Sequence, residues 1–384
     1  MKKIVSIPII YLLLQINAHA GSLTITQSAS LDTNQDGHVD AIELQFSSTL
    51  EDDSIKITFG DWQVSTDGFI TYDTLKTFTS TISVLTGETG GDADDEYVRF
   101  GFSPENVSGT DTLQIKYIYN PSRRILSKNS NDTLFSFNDT TIPDLAAPVV
   151  DSIGLNFETI TDYNAVNDSL IVDVFFSEEM DTSGTFNPDI SFPDFDSTFV
   201  LQPADSAWLS ASNYKYYFKI FDNDTTLTNI DIRVSGGQDH TGNTLITYDS
   251  LDVLNIDTDN PYVTNIAASN DTISNGMIPG TFNITVNFSE NMNQASTPVI
   301  AFPNDAVTAT ITGISTEGWN SATQYSVDYN LADANENITD IDVRVTAAQD
   351  MAQNTQAQFD SVDVFDIDTD NPYVTNIAAS NDTI

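Results

Sequence analysis

The chain has 384 residues, with 56 acidic side chains against 13 basic ones, a formal net charge of −43 and no cysteine. That balance makes nucleic acid a very poor candidate partner, since 56 acidic side chains would repel phosphates, and it disfavours an anionic lipid surface unless divalent cations bridge the two. The missing thiols exclude disulfides, thiol catalysis and zinc–thiolate sites, so stability must come from ordinary cores, bound metal or stacked modules.

At the N-terminus, Lys2 and Lys3 precede an apolar run from Ile4 to Leu14, and Ala18, His19 and Ala20 supply a small-x-small cleavage site. Residues 1–20 therefore read as a secretory signal peptide, with a mature chain from about Gly21. The run is too short to span a bilayer, and no later stretch approaches the roughly 20 apolar residues that a spanning helix needs. The expected location is extracellular or at a bacterial cell surface.

Residues 21–145 form the first expected module, in which Ile42, Leu44 and Phe46 alternate with Glu43, Gln45 and Ser47 as in a half-buried strand. Asp32, Asn34, Asp36, Gly37, Asp40 and Glu43 match positions 1, 3, 5, 6, 9 and 12 of a twelve-residue calcium loop. Calcium takes hard oxygens at this spacing, Gly37 permits the sharp turn and His38 offers its backbone carbonyl. The expected metal set is Asp32, Asn34, Asp36, His38, Asp40 and Glu43, with Ca2+ as the ion. Glu43 is the least secure member, because residues on both sides of the loop read as strands and the pleat fixes the direction of a strand side chain. The competing reading is an Asx-rich turn without metal. Asp92, Asp94, Asp95 and Glu96 read as a solvated turn.

Asp257 to Ile273 and Asp368 to Ile384 carry the same seventeen letters, DTDNPYVTNIAASNDTI, at an offset of 111 residues. The same offset carries Trp208, Ser210, Ala211 and Tyr214 onto Trp319, Ser321, Ala322 and Tyr325, and Arg233 onto Arg344. This repeat divides the rest of the chain into modules at 146–257 and 258–368, with 369–384 opening a further repeat that breaks off. Each module starts at a proline: Pro148, Pro261 and Pro372. Residues 170–176 and 282–288 are rich in β-branched and aromatic side chains, Asn, Asp, Gly and Pro punctuate the gaps, and no segment carries a helical period with caps. About seven strands per module predict an all-β chain of antiparallel sandwiches arranged as beads on a string.

The succession FSE(N/E)M, W-x-S-A-x-x-Y, D-I-D-V-R-V and A-Q-D-x-x-x-N, between about Pro148 and Asp368, resembles the tandem bacterial Ig-like repeats of large exported surface proteins and adhesins. The resemblance implies surface display, adhesion or spacing, although a scaffold does not fix a ligand. At the junctions, Asp257, Asp259 and Asn260, then Asp368, Asp370 and Asn371, with Glu178 and Glu290 at strand ends, are similar to the calcium-stiffened linkers of cadherins. A calcium-bound linker and a solvated turn both remain open there. Arg233 and Arg344 are expected in structural ion pairs, and Trp208 and Trp319 in the core rather than on a sugar-stacking platform.

The mature chain has only His38 and His240 and carries neither a G-x-S-x-G elbow nor an H-E-x-x-H pair, so an enzyme is not expected. The leading reading is a calcium-stabilised spacer or adhesin stalk. The expected partners are calcium and a surface polysaccharide or another cell-surface protein, with no nucleic acid and no membrane insertion in this segment. The alternative is a set of carbohydrate-binding accessory modules of a secreted polysaccharide hydrolase; a surface-layer component is a third.

Overall fold

The computed structural model describes residues 22–51, 61–65, 73–74, 96–101, 113–122, 124–193, 201–378 and 380. Residues 1–20, expected to form the signal peptide, Gly21, the acidic positions Asp92, Asp94 and Asp95, and residues 381–384 lie outside them. Among the described residues strand predominates, with one short α-helix at Asp162–Asn167 and 3-10 turns at Asn275–Met277 and Val307–Ala309. No described helix is long and apolar enough to cross a membrane.

Three separate cores mark three sandwiches, because each gathers its buried side chains from one stretch of the sequence. In the second module, Val150–Leu155, Ser169–Phe176, Asn213–Ile220 and Leu201–Ser210 form one sheet in that spatial order. Thr159–Thr161, Tyr248–Asp257, Thr226–Gly236 and Pro188–Ser191 form the other. The third module repeats both orders. Its sheets are Val263–Ala268, Thr281–Phe288, Gln324–Leu331 and Ile311–Ser321, against Thr272–Ser274, Phe359–Asp368, Asn337–Thr346 and Val299–Ala301.

Alternation explains the layering. Leu170, Val172, Val174 and Phe176 turn inward from one strand, and Phe282, Ile284, Val286 and Phe288 from its counterpart, while the residues between them face outward. Each fully buried aliphatic or aromatic side chain of this kind contributes about 1.5–3 kcal/mol. The first module packs Trp62 against Tyr117 and Phe137, with ring centroids 4.7 and 5.9 Å apart, between a three-stranded and a four-stranded sheet.

The sandwiches are not antiparallel throughout. In each repeat the first strand pairs in one sheet, and the chain then crosses to the other sheet, where Thr159–Thr161 and Thr272–Ser274 run parallel to the last strand. The crossing yields eight strands per repeat where the sequence suggests seven. It also covers the backbone edge of the last strand, which would otherwise be open to pairing.

Candidate metal centres at the module junctions

Two sequence motifs set the geometry where one module meets the next. At the first junction, Ser177 follows the strand ending at Phe176 and is tied to the incoming chain: its N–H donates to the Val149 carbonyl at 3.0 Å and its Oγ accepts the Val149 N–H at 3.1 Å. Three residues on, Met180 forms a β-bridge with Asp239. Glu178 sits between these two anchors and is thereby held in the junction. The second junction is built the same way, with Ser289 bonded to Tyr262 at 2.9 and 3.1 Å, a Met292–Asp350 bridge, and Glu290 between them.

The Q-D-x-x-x-N motif supplies the opposite wall. Asp239 accepts the N–H groups of Thr241, Gly242 and Asn243 at 2.6–2.8 Å, which curls the loop into a tight Asx turn. The Asn243 amide then donates to the Asp144 carbonyl at 3.3 Å, reaching back into the end of the first module. In the second junction Asn354 donates to the carbonyls of Asp257 and Asp259 at 2.8 and 3.2 Å. Its own Oδ1 accepts the N–H of Asp162 at 2.9 Å.

These anchors converge carboxylates. Asp144, Glu178 and Asp239 each place an oxygen within 4.8 Å of the others, and Asp257, Glu290 and Asp350 do the same. Glu178 is 3 % exposed, yet neither of its carboxylate oxygens has a hydrogen-bond partner, and Asp144 Oδ2 is likewise buried and unbonded. Burial, joined by the neighbouring charges of Asp144, Asp239 and Asp32, pushes the Glu178 carboxyl up to about 9. Burial, with Asp350, Asp257 and Asp259 alongside, pushes the less enclosed Glu290 up to about 7. Asp144 is also raised to about 7, mainly by burial, and burial raises Asp350.

The Asp32 loop lies against this junction. Gly37 has φ of +81°, and a Cβ there would come within 2.2 Å of Ser177 Oγ and 3.0 Å of Val149 Cγ2, so only glycine allows the approach. Asp32 accepts the N–H groups of Gln35 and Gly37 at 2.6 and 2.9 Å; Asn34 and Asp36 accept those of Asp36 and His38 at 3.1 and 3.0 Å. Asp40 accepts the Thr33 N–H at 2.9 Å. Glu43 lies on the Ala41–Phe46 strand, where its carboxylate meets the guanidinium of its cross-strand partner Arg99 at 2.8 Å. Loop and strand thus aim Asp32 and Glu43 at different surroundings, as the pleat requires.

Of the junction residues singled out in the sequence, Glu178, Glu290 and Asp257 enter the triads, and Asp259 adds its charge beside Glu290. Asp368, Asp370 and Asn371 are exposed. Asp144, Asp239 and Asp350 are triad members that sequence reasoning passed over. The only signal for the last two was the Q-D-x-x-x-N motif, which served as a mark of the repeat rather than of a site.

The remaining expectations concern the scaffold. Arg233 makes a bidentate pair with Asp249 at 2.6 and 2.9 Å, and Arg344 an identical one with Asp360. Trp208 and Trp319 are half-buried against the core, packed tilted and edge-to-face against their cross-strand partners Tyr214 and Tyr325 with centroids 4.6 and 5.2 Å apart. Their indole N–H groups donate to Asn187 and to the Ser296 carbonyl.

No family model and no curated protein sequence matches the chain. Among solved structures it is similar to the zebrafish RET cadherin-like domains 1 to 4, at 8 % identity and a TM-score of 0.24, over 80 % of this chain and 65 % of that one. It is also similar to an endo-fucoidan hydrolase from glycoside hydrolase family 107, at 12 % identity and a TM-score of 0.19, over 81 % of this chain and 39 % of that one. A single-residue variant of that hydrolase gives 10 % identity and a TM-score of 0.20, over 91 % and 44 %. The chain thus spans just under two thirds of the cadherin-like chain and less than half of the hydrolase chains.

Proposed function

We propose that the chain is an exported array of Ig-like modules that acts as a calcium-stabilised spacer or adhesin stalk at a bacterial cell surface. One observation carries this reading: two consecutive modules are joined to their predecessors by the same device, an asparagine of the Q-D-x-x-x-N turn bonded to the carbonyl of the preceding module's last aspartate. A joint built twice to one plan sets a repeatable angle between modules, which a spacer needs and a set of independent binding modules does not. The N-terminal Lys2-Lys3, apolar run and small-x-small site support export, and the net charge of −43 suits a medium rich in cations. In this reading the Asp32 loop takes calcium through Asp32, Asn34, Asp36, the His38 carbonyl and Asp40.

The alternative, accessory carbohydrate-binding modules, needs flat exposed aromatic faces, and the packing of Trp208 and Trp319 against Tyr214 and Tyr325 favours the spacer. Small-angle scattering of the full chain in calcium tests the reading. An elongated particle about three sandwiches long is expected; a compact globule would overturn it.

A further inference from the structure

At the first junction, burial and bonding conflict. A carboxylate withdrawn from water without a hydrogen bond or a counter-charge is among the costliest arrangements a fold can hold. Glu178 is in that condition on both oxygens, and it faces Asp144, whose Oδ2 is also unbonded, and Asp239. No basic side chain lies nearby in the sequence: the strand and turn that carry Glu178 contain none, and His240, beside Asp239, interacts instead with Asp181.

We propose that each junction is a divalent-cation site of the calcium class, formed by Asp144, Glu178 and Asp239 between the first two modules and by Asp257, Glu290 and Asp350 between the second and third. Each triad draws on both partners. Asp144 and Asp257 come from the end of one module, and the Glu–Asp pair comes from the next, the Glu at the end of a strand and the Asp in the later Q-D-x-x-x-N turn, so an ion held there bridges the two. The donors are all carboxylate oxygens with neither His nor Cys among them, which selects hard cations over zinc or copper. Spacing within 4.8 Å allows three oxygens to reach one ion at the 2.3–2.6 Å typical of calcium.

A fourth carboxylate attends each triad, and its source differs. In the repeat, Asp259 stands two residues after Asp257. The position two residues after Asp144 is Ala146, which is buried and apolar. At the first junction the additional charge facing Glu178 comes from Asp32 in the docked loop, where Asp259 does so for Glu290.

The inference rests on the array reading only for its consequence, stiffness. The test is calorimetric calcium titration of the full chain after chelation, beside Glu178→Gln, Glu290→Gln and Asp36→Ala variants, with circular dichroism confirming the fold of each. Glutamine keeps the shape of glutamate and removes a buried charge, so both Gln variants should fold. Each is expected to lose one bound calcium that Asp36→Ala retains. Unchanged stoichiometry and affinity in both Gln variants, or a parent chain that takes up no calcium, would overturn the proposal. A compact particle that still binds two ions through Glu178 and Glu290 would sink the array reading and leave the sites standing.

Discussion

The two junctions share backbone ties and a triad, but they enclose it differently. At the first, Glu178 is 3 % exposed and the Asp32 loop closes over Ser177. At the second, Glu290 is half-buried, and the tie from Asn354 to Asp162 adds a bond with no counterpart among the described residues of the first junction. The contrast teaches that the joint conserves its charge rather than its covering. Where the linker carries Ala146 instead of an aspartate, the charge of Asp32, from a loop distant in sequence, acts on Glu178. The more enclosed junction should therefore depend more on whatever neutralises it.

The largest expected effect is that of removing metal. With free calcium at about a hundredfold above its dissociation constant, each occupied site adds about 2.7 kcal/mol to stability. Thermal unfolding followed by circular dichroism should show that amount lost per site on chelation. A melting curve indifferent to chelator would remove the distinction between the junctions altogether.

Next comes the sign reversal at Glu178. In chelator the folded chain must keep this carboxyl protonated or bear a buried charge, so Glu178→Gln should stabilise the metal-free protein by a few kcal/mol, and Glu290→Gln by less. In calcium both should destabilise. If the two variants shift the chelated protein equally, the difference in enclosure has no energetic meaning.

The pH profile sharpens the same comparison. A carboxyl raised in the folded state holds a proton that the unfolded chain has released, so the chelated protein should lose stability as pH rises through the interval between the two values. For Glu290 that interval runs from about 4.5 to about 7, and for Glu178 from about 4.5 to about 9. Denaturant titrations between pH 5 and 10 should show the Glu290→Gln variant still weakening above pH 7, where the Glu178→Gln variant has levelled off.

Gly37→Ala should act on the first junction alone. It combines the strain of a positive φ, about 1 kcal/mol, with a clash against Ser177 worth about 1–3 kcal/mol. Gly184→Ala has a similar φ of +87° and open space around it, so it should cost only the strain. Equal melting shifts in the two variants would mean that the loop does not press on the second module. The smallest effect belongs to Arg344→Ala: its pair with Asp360 is exposed, and its loss should fall within the scatter of a melting curve.

Much of the scaffold was readable because its signals are local. Alternation at 170–176 and 282–288 marked strands, the seventeen-letter identity marked the repeat, and matched spacing placed Arg233 and Arg344 in equivalent pairs. The sites were only half readable, because a triad member declares itself only when distant segments converge. Glu178 and Glu290 stood out at strand ends, but Asp239 is brought to Glu178 by the Met180 bridge and Asp144 by the Asn243 tie, neither of which leaves a trace in spacing. The Asp32 loop matched a calcium pattern by its own letters, while its docking against Ser177 followed from a contact between modules. The parallel strands at Thr159–Thr161 and Thr272–Ser274 escaped for the same reason: three-residue segments carry too little pattern to declare a partner.

The most direct measurement is anomalous diffraction from crystals of the full chain in which terbium replaces calcium. The account predicts one anomalous peak among Asp144, Glu178 and Asp239 and another among Asp257, Glu290 and Asp350. Ordered junctions with both triads empty, and terbium confined to the Asp32 loop or the outer surface, would contradict it.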